Sequence, residues 1–267
     1  MGACSHCAVE CESSDSRSPL LQLNAARDYV VALAGNPNTG KSTVFNRLTG
    51  LRQHTGNWPG KTVARAEGSF KHAGRRFRLI DLPGTYSLLA DSADEEIARD
   101  FVLFEQPDCV VAVCDATVLE RNLFLVLQLL EITPRMVVCV NLMDEAHRKN
   151  IALEVRSLEQ ELGVPVVATA ARRGQGVGRL IERVAVVASG RLQTRPVRTP
   201  LDPAVESAVE TLVDGLRHAL PSLPCPRWVA LRLLDGDKHI ERALLASGAL
   251  QSRFGGAFRN DTDESAA

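Results

Sequence analysis

The sequence predicts an α/β fold: a mixed, mostly parallel six-stranded sheet with one antiparallel edge hairpin, followed by a small C-terminal helical domain. Three observations carry this expectation. From Tyr29 to about residue 190, short apolar runs alternate with helical stretches, the pattern of strands joined by crossover helices. The runs 62–70 and 75–81 are joined only by KHAG, too short for a crossover, so that pair must be antiparallel. After Gly190 the texture changes to the Pro- and Arg-rich RLQTRPVRTPLDP. There follows AVESAVETLVDGLRHAL, with apolar residues at three- and four-residue steps.

Taken in order, residues 1–27 are polar and Ser-rich and are expected to form a flexible, Cys-containing extension. Residues 28–190 hold the sheet domain, with strands at 29–34, 62–70, 75–81, 108–114, 135–141 and 164–169 and helices at 41–50, 94–104, 119–132, 153–162 and 176–189. A linker, 191–202, leads to a helical domain at 203–252, where RWVALRLLDGD and HIERALLASGAL supply shorter helices. That module is too small to bury much core alone, so it is expected to dock on the first domain. The tail 253–267 reads as disordered.

Composition narrows the function classes. The chain has 267 residues and a net charge of −1, so it is no general electrostatic binder of nucleic acid, and no nucleic-acid partner is expected. The segment 172–198 is locally basic and reads as a solvated face. No run of 18 apolar residues is present, and the N-terminus has no basic-then-apolar signal pattern. His6 stands where a myristoylation signal needs Ser or Thr. Cys109, Cys114 and Cys139 lie in strand-like runs and read as small buried apolar residues. Cys4, Cys7, Cys11 and His6 have ligands suited to zinc or iron, although a short featureless tail of this kind is more often unstructured.

The chemistry begins at GNPNTGKS, which fits G-x-x-x-x-G-K-[ST] between a predicted strand and a predicted helix. Gly35, Asn36, Pro37, Asn38, Thr39 and Gly40 form a loop whose backbone can wrap phosphates, with Thr43 in the first helical turn. Lys41 is placed to neutralise the β- and γ-phosphates and Ser42 to ligate magnesium. In IDLPG, Asp81 ends a strand 40 residues after Lys41, from where it is expected to reach magnesium through water, with Leu82, Pro83 and Gly84 beside the γ-phosphate. NLMD, Asn141 to Asp144 with Leu142 and Met143 between, names the base, with Asn141 expected to bond guanine's Hoogsteen edge and to tie the loops together. A carboxylate accepts hydrogen bonds from guanine N1–H and its exocyclic amine, whereas adenine would leave it unpaired at a cost of about 1–3 kcal/mol. In ATAARRG, Thr169, Ala170 and Ala171 follow a strand, and the Ala171 N–H is expected to face guanine O6. Together these motifs predict a P-loop GTPase.

Between loop and hairpin, LRQHTGNWPGKTV offers Thr55 and Thr62 to complete magnesium coordination. Thr62 is preferred because it is expected to begin the hairpin strand. Trp58 reads as a loop anchor, or as a side chain whose packing follows the nucleotide state. Thr85 stands where many small GTPases carry a water-orienting glutamine, so another source of charge is needed for hydrolysis. Two roles suit Asn38: holding a potassium ion near the phosphates, or capping the loop by bonding its own backbone.

The combination GNPNTGKSTVFNRLTG, HTGNWPGKTV, DLPGTYSL, DATVLERNLFLVLQLLE and NLMDEA resembles the bacterial ferrous iron transport protein B family, and RWVALRLLDGD resembles its helical, dissociation-inhibitor-like domain. The resemblance runs from about residue 28 to about 250, with departures at Lys61, Ala64 to Ala66 and Ala170; Leu142 departs instead from the more general N-K-x-D, in which a lysine stem lies over the base. The resemblance implies a magnesium-dependent, potassium-stimulated GTPase, with Asn38, Lys41, Thr62 and Gly84 catalytic, Asn38 at the potassium and Thr62 at the γ-phosphate switch. It also implies GTP and GDP as ligands, an Fe(II) permease portion of the same protein as partner, small accessory Feo proteins, a homo-oligomer, and a place at the cytoplasmic face of the bacterial inner membrane. The alternative is a stand-alone GTPase of the ribosome-assembly or tRNA-modification type, which predicts a basic RNA-binding appendage.

Overall fold

The structure, a computed structural model, describes residues 28–51, 53–58, 62–89, 92–198 and 200–246. The N-terminal extension with Cys4, Cys7, Cys11 and His6, and also Lys61 and the tail 253–267, lie outside the described residues.

Among the described residues the sheet has seven strands, not six: β1 (Tyr29–Gly35), β2 (Gln53–Asn57), β3 (Ala64–His72), β4 (Arg75–Asp81), β5 (Cys109–Asp115), β6 (Met136–Asn141) and β7 (Val166–Ala168). Their spatial order is β2-β3-β4-β1-β5-β6-β7. β1, β4, β5, β6 and β7 run parallel, whereas β2 and β4 flank β3 antiparallel. The strand missed from sequence is β2. Its segment QHTGN has no apolar alternation, so only the ladder to β3, Thr55 opposite Ala66, holds it extended. The β3–β4 connection is the two-residue turn Ala73–Gly74 with both φ angles positive (48° and 74°), the twist that suits a tight hairpin.

Helices cover both faces. On one side α1 (Lys41–Thr49) and α6 (Val177–Ala188) bury Val44, Phe45, Leu180 and Val184 against Val31, Leu33, Leu79 and Val111. The opposite face is covered by α2 (Ala93–Phe104), α3 (Leu119–Ile132) and α5 (Val155–Leu162), and the short α4 (Met143–Arg148) opens on the end of β6. α2 is started by Ser92, whose hydroxyl accepts from Glu95 N at 3.3 Å, with Asp94, Glu95 and Glu96 at the positive helix end. The strands of β1, β5 and β6 are apolar on both sides, as a doubly covered parallel sheet requires.

The C-terminal helices α7 (Pro203–Ala219), α8 (Pro226–Leu234) and α9 (Lys238–Ala246) continue this second core. Val209, Val213, Trp228, Val229 and Ile240 join one buried cluster with Phe101, Leu103, Leu129 and Leu130 of α2 and α3. Arg227 grips Glu206 through both carboxylate oxygens and ties α8 to α7. Cys225 Sγ donates to the Ile132 carbonyl at 2.7 Å, at the end of α3. Among the described residues, no helix is long and apolar enough to cross a membrane.

Candidate nucleotide site

Four segments meet at the C-terminal edge of the sheet, where β1 lies between β4 and β5 and the chain reverses its direction of progress, the usual crevice of an open α/β sheet. Residues 36–40 leave β1 and enter α1 through Gly40 at φ 79°. A Cβ there would lie 2.4 Å from Asn141 Nδ2, so both the backbone angle and the close approach require glycine. α1 has no side-chain cap and no acid in its first turn, unlike α2. Its leading N–H groups, on Lys41, half-buried Thr43 and exposed Ser42, are therefore open to an anion.

Lys41 donates to Asp81 Oδ1 and, at 2.7 Å, to the Leu82 carbonyl. The expected phosphate cation and the expected magnesium ligand are thus adjacent. Burial raises the Asp81 pKa above its ordinary value, and the neighbouring ammonium acts against that shift. Gly84 lies against Pro37: an added Cβ would sit 3.6 Å from Pro37 Cγ and from its backbone nitrogen. The loop after β4 therefore runs directly over the loop after β1, and Thr85 N donates to the Gly35 carbonyl at 3.3 Å. Thr85 is itself buried, and its hydroxyl donates to Ser87 O at 2.7 Å.

The centre of the constellation is Asn141, 1% exposed. Its Nδ2 donates to the Thr39 carbonyl at 3.0 Å, across 102 residues of sequence. Its Oδ1 accepts from Thr169 Oγ1 and from Ala171 N, each at 3.0 Å. One amide thereby fixes the phosphate-loop segment to the turn after β7. The sequence assigns the Ala171 N–H to a base oxygen, but here it is taken by Asn141, because the 3-10 turn Ala171–Arg173 folds back beneath that amide. Leu142 holds φ 63° at the start of α4, Met143 packs with the core, and Ala170 is buried and bonded to Gln175. Asp144 is ion-paired with Arg173 Nε at 3.2 Å.

Two expectations about the loops change. Thr62 does not begin β3; it lies exposed in a bend before Ala64, because Trp58 N bonds to the Val63 carbonyl at 3.0 Å and closes the chain on itself there. Among the described residues no hydrogen bond joins Thr62 to Ser42 or Asp81. Thr55 is held in β2, exposed. Trp58 is buried at the edge of Phe101 of α2, with ring centroids 5.5 Å apart, and carries the Arg65 guanidinium over its face. Asn38 is exposed at φ 67°, a left-handed conformation that asparagine tolerates, and its amide bonds to no described residue. It does not cap the loop.

The buried thiols of Cys109, Cys114 and Cys139 have their pKa values raised by burial, Cys139 to about 12, and stay protonated at neutral pH. Sequence reasoning missed two contacts: that of Arg47 with the base-side turn, and that of Arg173, within the turn, with Asp144. Neither has a local signature, since only the fold brings the partners together.

Residues 29–184 match the family model of ferrous iron transport protein B, and 202–260 match that of the FeoB cytosolic helical domain. The Fe(2+) transport protein A/Fe(2+) transporter FeoB fusion protein of Porphyromonas gingivalis is 41% identical over 79% of this chain and 26% of its own length. The Fe(2+) transporter FeoB of Escherichia coli K12 is 40% identical over 79% and 27%. The chain thus spans about a quarter of the length of these curated relatives. Among solved structures, the cytosolic domain of the T. maritima FeoB iron transporter in apo form is 36% identical with a TM-score of 0.76, over 84% of this chain and 86% of that one. The same domain in GDP form I has 36% identity and a TM-score of 0.74 over 85% and 86%.

Proposed function

The chain belongs to the ferrous iron transport protein B family, and from that premise we propose that it binds and hydrolyses GTP as the regulatory portion of a membrane transporter for Fe(II). The single observation that carries the nucleotide reading is the Asn141 bridge, which joins a phosphate loop to a base-side turn in one rigid site. The GDP form of the T. maritima relative supports the same ligand. The reaction is attack of water on the γ-phosphorus with cleavage of the β–γ bridging bond, releasing GDP and phosphate.

Roles follow from the chemistry of each group. Lys41 and the N–H groups leading α1 neutralise the phosphates, Gly84 lets its N–H approach the γ-phosphate, and Asp144 accepts from guanine N1–H and the exocyclic amine. Ser42, Asp81 and Thr62 carry oxygen atoms of the kind magnesium takes and would hold that ion, which would offset phosphate charge when bound. Thr62 reaches it only after the exposed bend at 62–63 closes inward. Asn38 offers its free carbonyl to potassium, which supplies positive charge beside the phosphates where Thr85 supplies none.

The relatives' names as Fe(2+) transporters support a permease portion in the same protein, and beside such a permease this chain would lie at the cytoplasmic face of the bacterial inner membrane. The P. gingivalis fusion supports a small accessory protein as a further partner. The relatives named above give no support to a ribosome-assembly or tRNA-modification role. The test is single-turnover hydrolysis with GTP and ATP, in potassium and in sodium. GTP is expected to be cleaved, faster in potassium, and Asn38→Ala is expected to bind GTP but lose the acceleration. Cleavage of ATP at the rate of GTP would overturn the nucleotide reading, and equal rates in the two salts would overturn the role of Asn38.

A further inference from the structure

The turn Ala171–Arg173 is held from a direction that no motif announces. Arg47 lies on α1, the helix that opens on Lys41, and its guanidinium donates through Nε to the Ala171 carbonyl at 3.0 Å and through Nη2 to the Arg172 carbonyl at 2.5 Å. These contacts span 124 and 125 residues of sequence. A planar, rigid fork on two successive carbonyls fixes the peptide planes of the turn, which a single point donor such as lysine would not.

The consequence follows from peptide geometry. In a trans peptide the C=O and the following N–H point in opposite directions. Holding the Ala171 carbonyl on Arg47 therefore aims the Arg172 N–H away from that guanidinium. The turn's other donors are used internally: Ala170 N on Gln175 O, Ala171 N on Asn141 Oδ1, Arg173 N on Ala170 O and Gly174 N on Ala171 O. Among the described residues the Arg172 N–H is the donor of this turn left without a partner. Arg172 is the second residue of the short helical turn Ala171–Arg173, next to the Ala171 N–H that bonds to Asn141, in the segment whose Arg173 already reaches Asp144.

We infer that Arg47 is a positioning residue for base recognition: it fixes the 171–172 peptide so that the Arg172 N–H meets the 6-keto oxygen of a bound purine. This rests on the guanine reading above. Arg47 touches no ligand itself and acts through the turn. Because it sits on α1, the phosphate-binding and base-binding halves of the site share one rigid helix in addition to the Asn141 bridge.

The test uses the whole chain, a ribose-labelled fluorescent GDP, and the diphosphate of 2-aminopurine riboside, which keeps the exocyclic amine but lacks the 6-oxygen and, with it, the N1–H; each nucleotide is compared between wild type and variant. Arg47 is exposed, so Arg47→Ala leaves no buried cavity, and circular dichroism checks that the variant is folded. Arg47→Ala is expected to speed GDP dissociation by on the order of tenfold, as loss of two hydrogen bonds implies, and to leave affinity for the 2-aminopurine nucleotide unchanged. Arg47→Lys is expected to restore part of the GDP affinity. An unchanged GDP dissociation rate, or equal weakening of both nucleotides, would overturn the inference. A wild-type chain that binds neither nucleotide would overturn the guanine reading on which it rests.

Discussion

Asn141 and Asp144 are three residues apart, yet they serve different ends. Asn141 is buried and its amide ties Thr39 to Thr169 and Ala171, whereas the half-buried Asp144 carboxylate makes its ion pair with Arg173. Arg173, exposed along its side chain, is paired with that carboxylate, so a base that bonds to Asp144 would have to displace it. An exposed ion pair is worth about 0.2–1 kcal/mol, so Arg173→Ala is expected to raise GDP affinity up to roughly fivefold. Isothermal titration would check this, and a weaker or unchanged affinity would show that Arg173 does not compete. Residue by residue, Lys41, Asp81, Asn141 and Asp144 were legible in the sequence because their chemistry is fixed by short motifs. Arg47 and Arg173 were not, since nothing in VFNRLTG or ATAARRG shows that α1 and the turn after β7 touch. The partner of the Ala171 N–H was also illegible, because it depends on where the Asn141 amide turns.

At the scale of elements, apolar runs revealed the buried parallel strands and amphipathic period revealed the helices. β2 escaped because an exposed edge strand with the sequence QHTGN has no burial pattern to display. The same absence hid where β3 begins. The helical module was expected to need a surface, and α8 supplies the contact: Trp228 and Val229, 4% and 1% exposed, are buried in the cluster that holds Leu129 and Leu130 of α3. α2 belongs to that cluster too, and its Phe101 also carries Trp58 from the segment before Thr62. A shift of that segment therefore bears on the helix against which the C-terminal module is packed. Trp228→Ala should remove about 3–5 kcal/mol of stability, read as a shift of the urea midpoint. A loss below about 1 kcal/mol would show that α8 does not anchor the module.

Across the whole molecule, the phosphate loop and the base motif are far apart in sequence and are brought together by β1 and β6 ending on the same edge of one sheet. The glycine at position 40 and the asparagine at 141 are one device seen from two sides, since any side chain on the first would displace the second. The chain spans about a quarter of the length of its curated relatives. The central claim is that Asp144 reads guanine within this joined site. Its most direct test is the base preference of Asp144→Asn, measured with ribose-labelled GDP and XDP. Xanthine carries an oxygen where guanine carries its exocyclic amine, so an amide that both donates and accepts should suit it. Wild type is expected to prefer GDP and the variant XDP; the same preference in both would contradict the account.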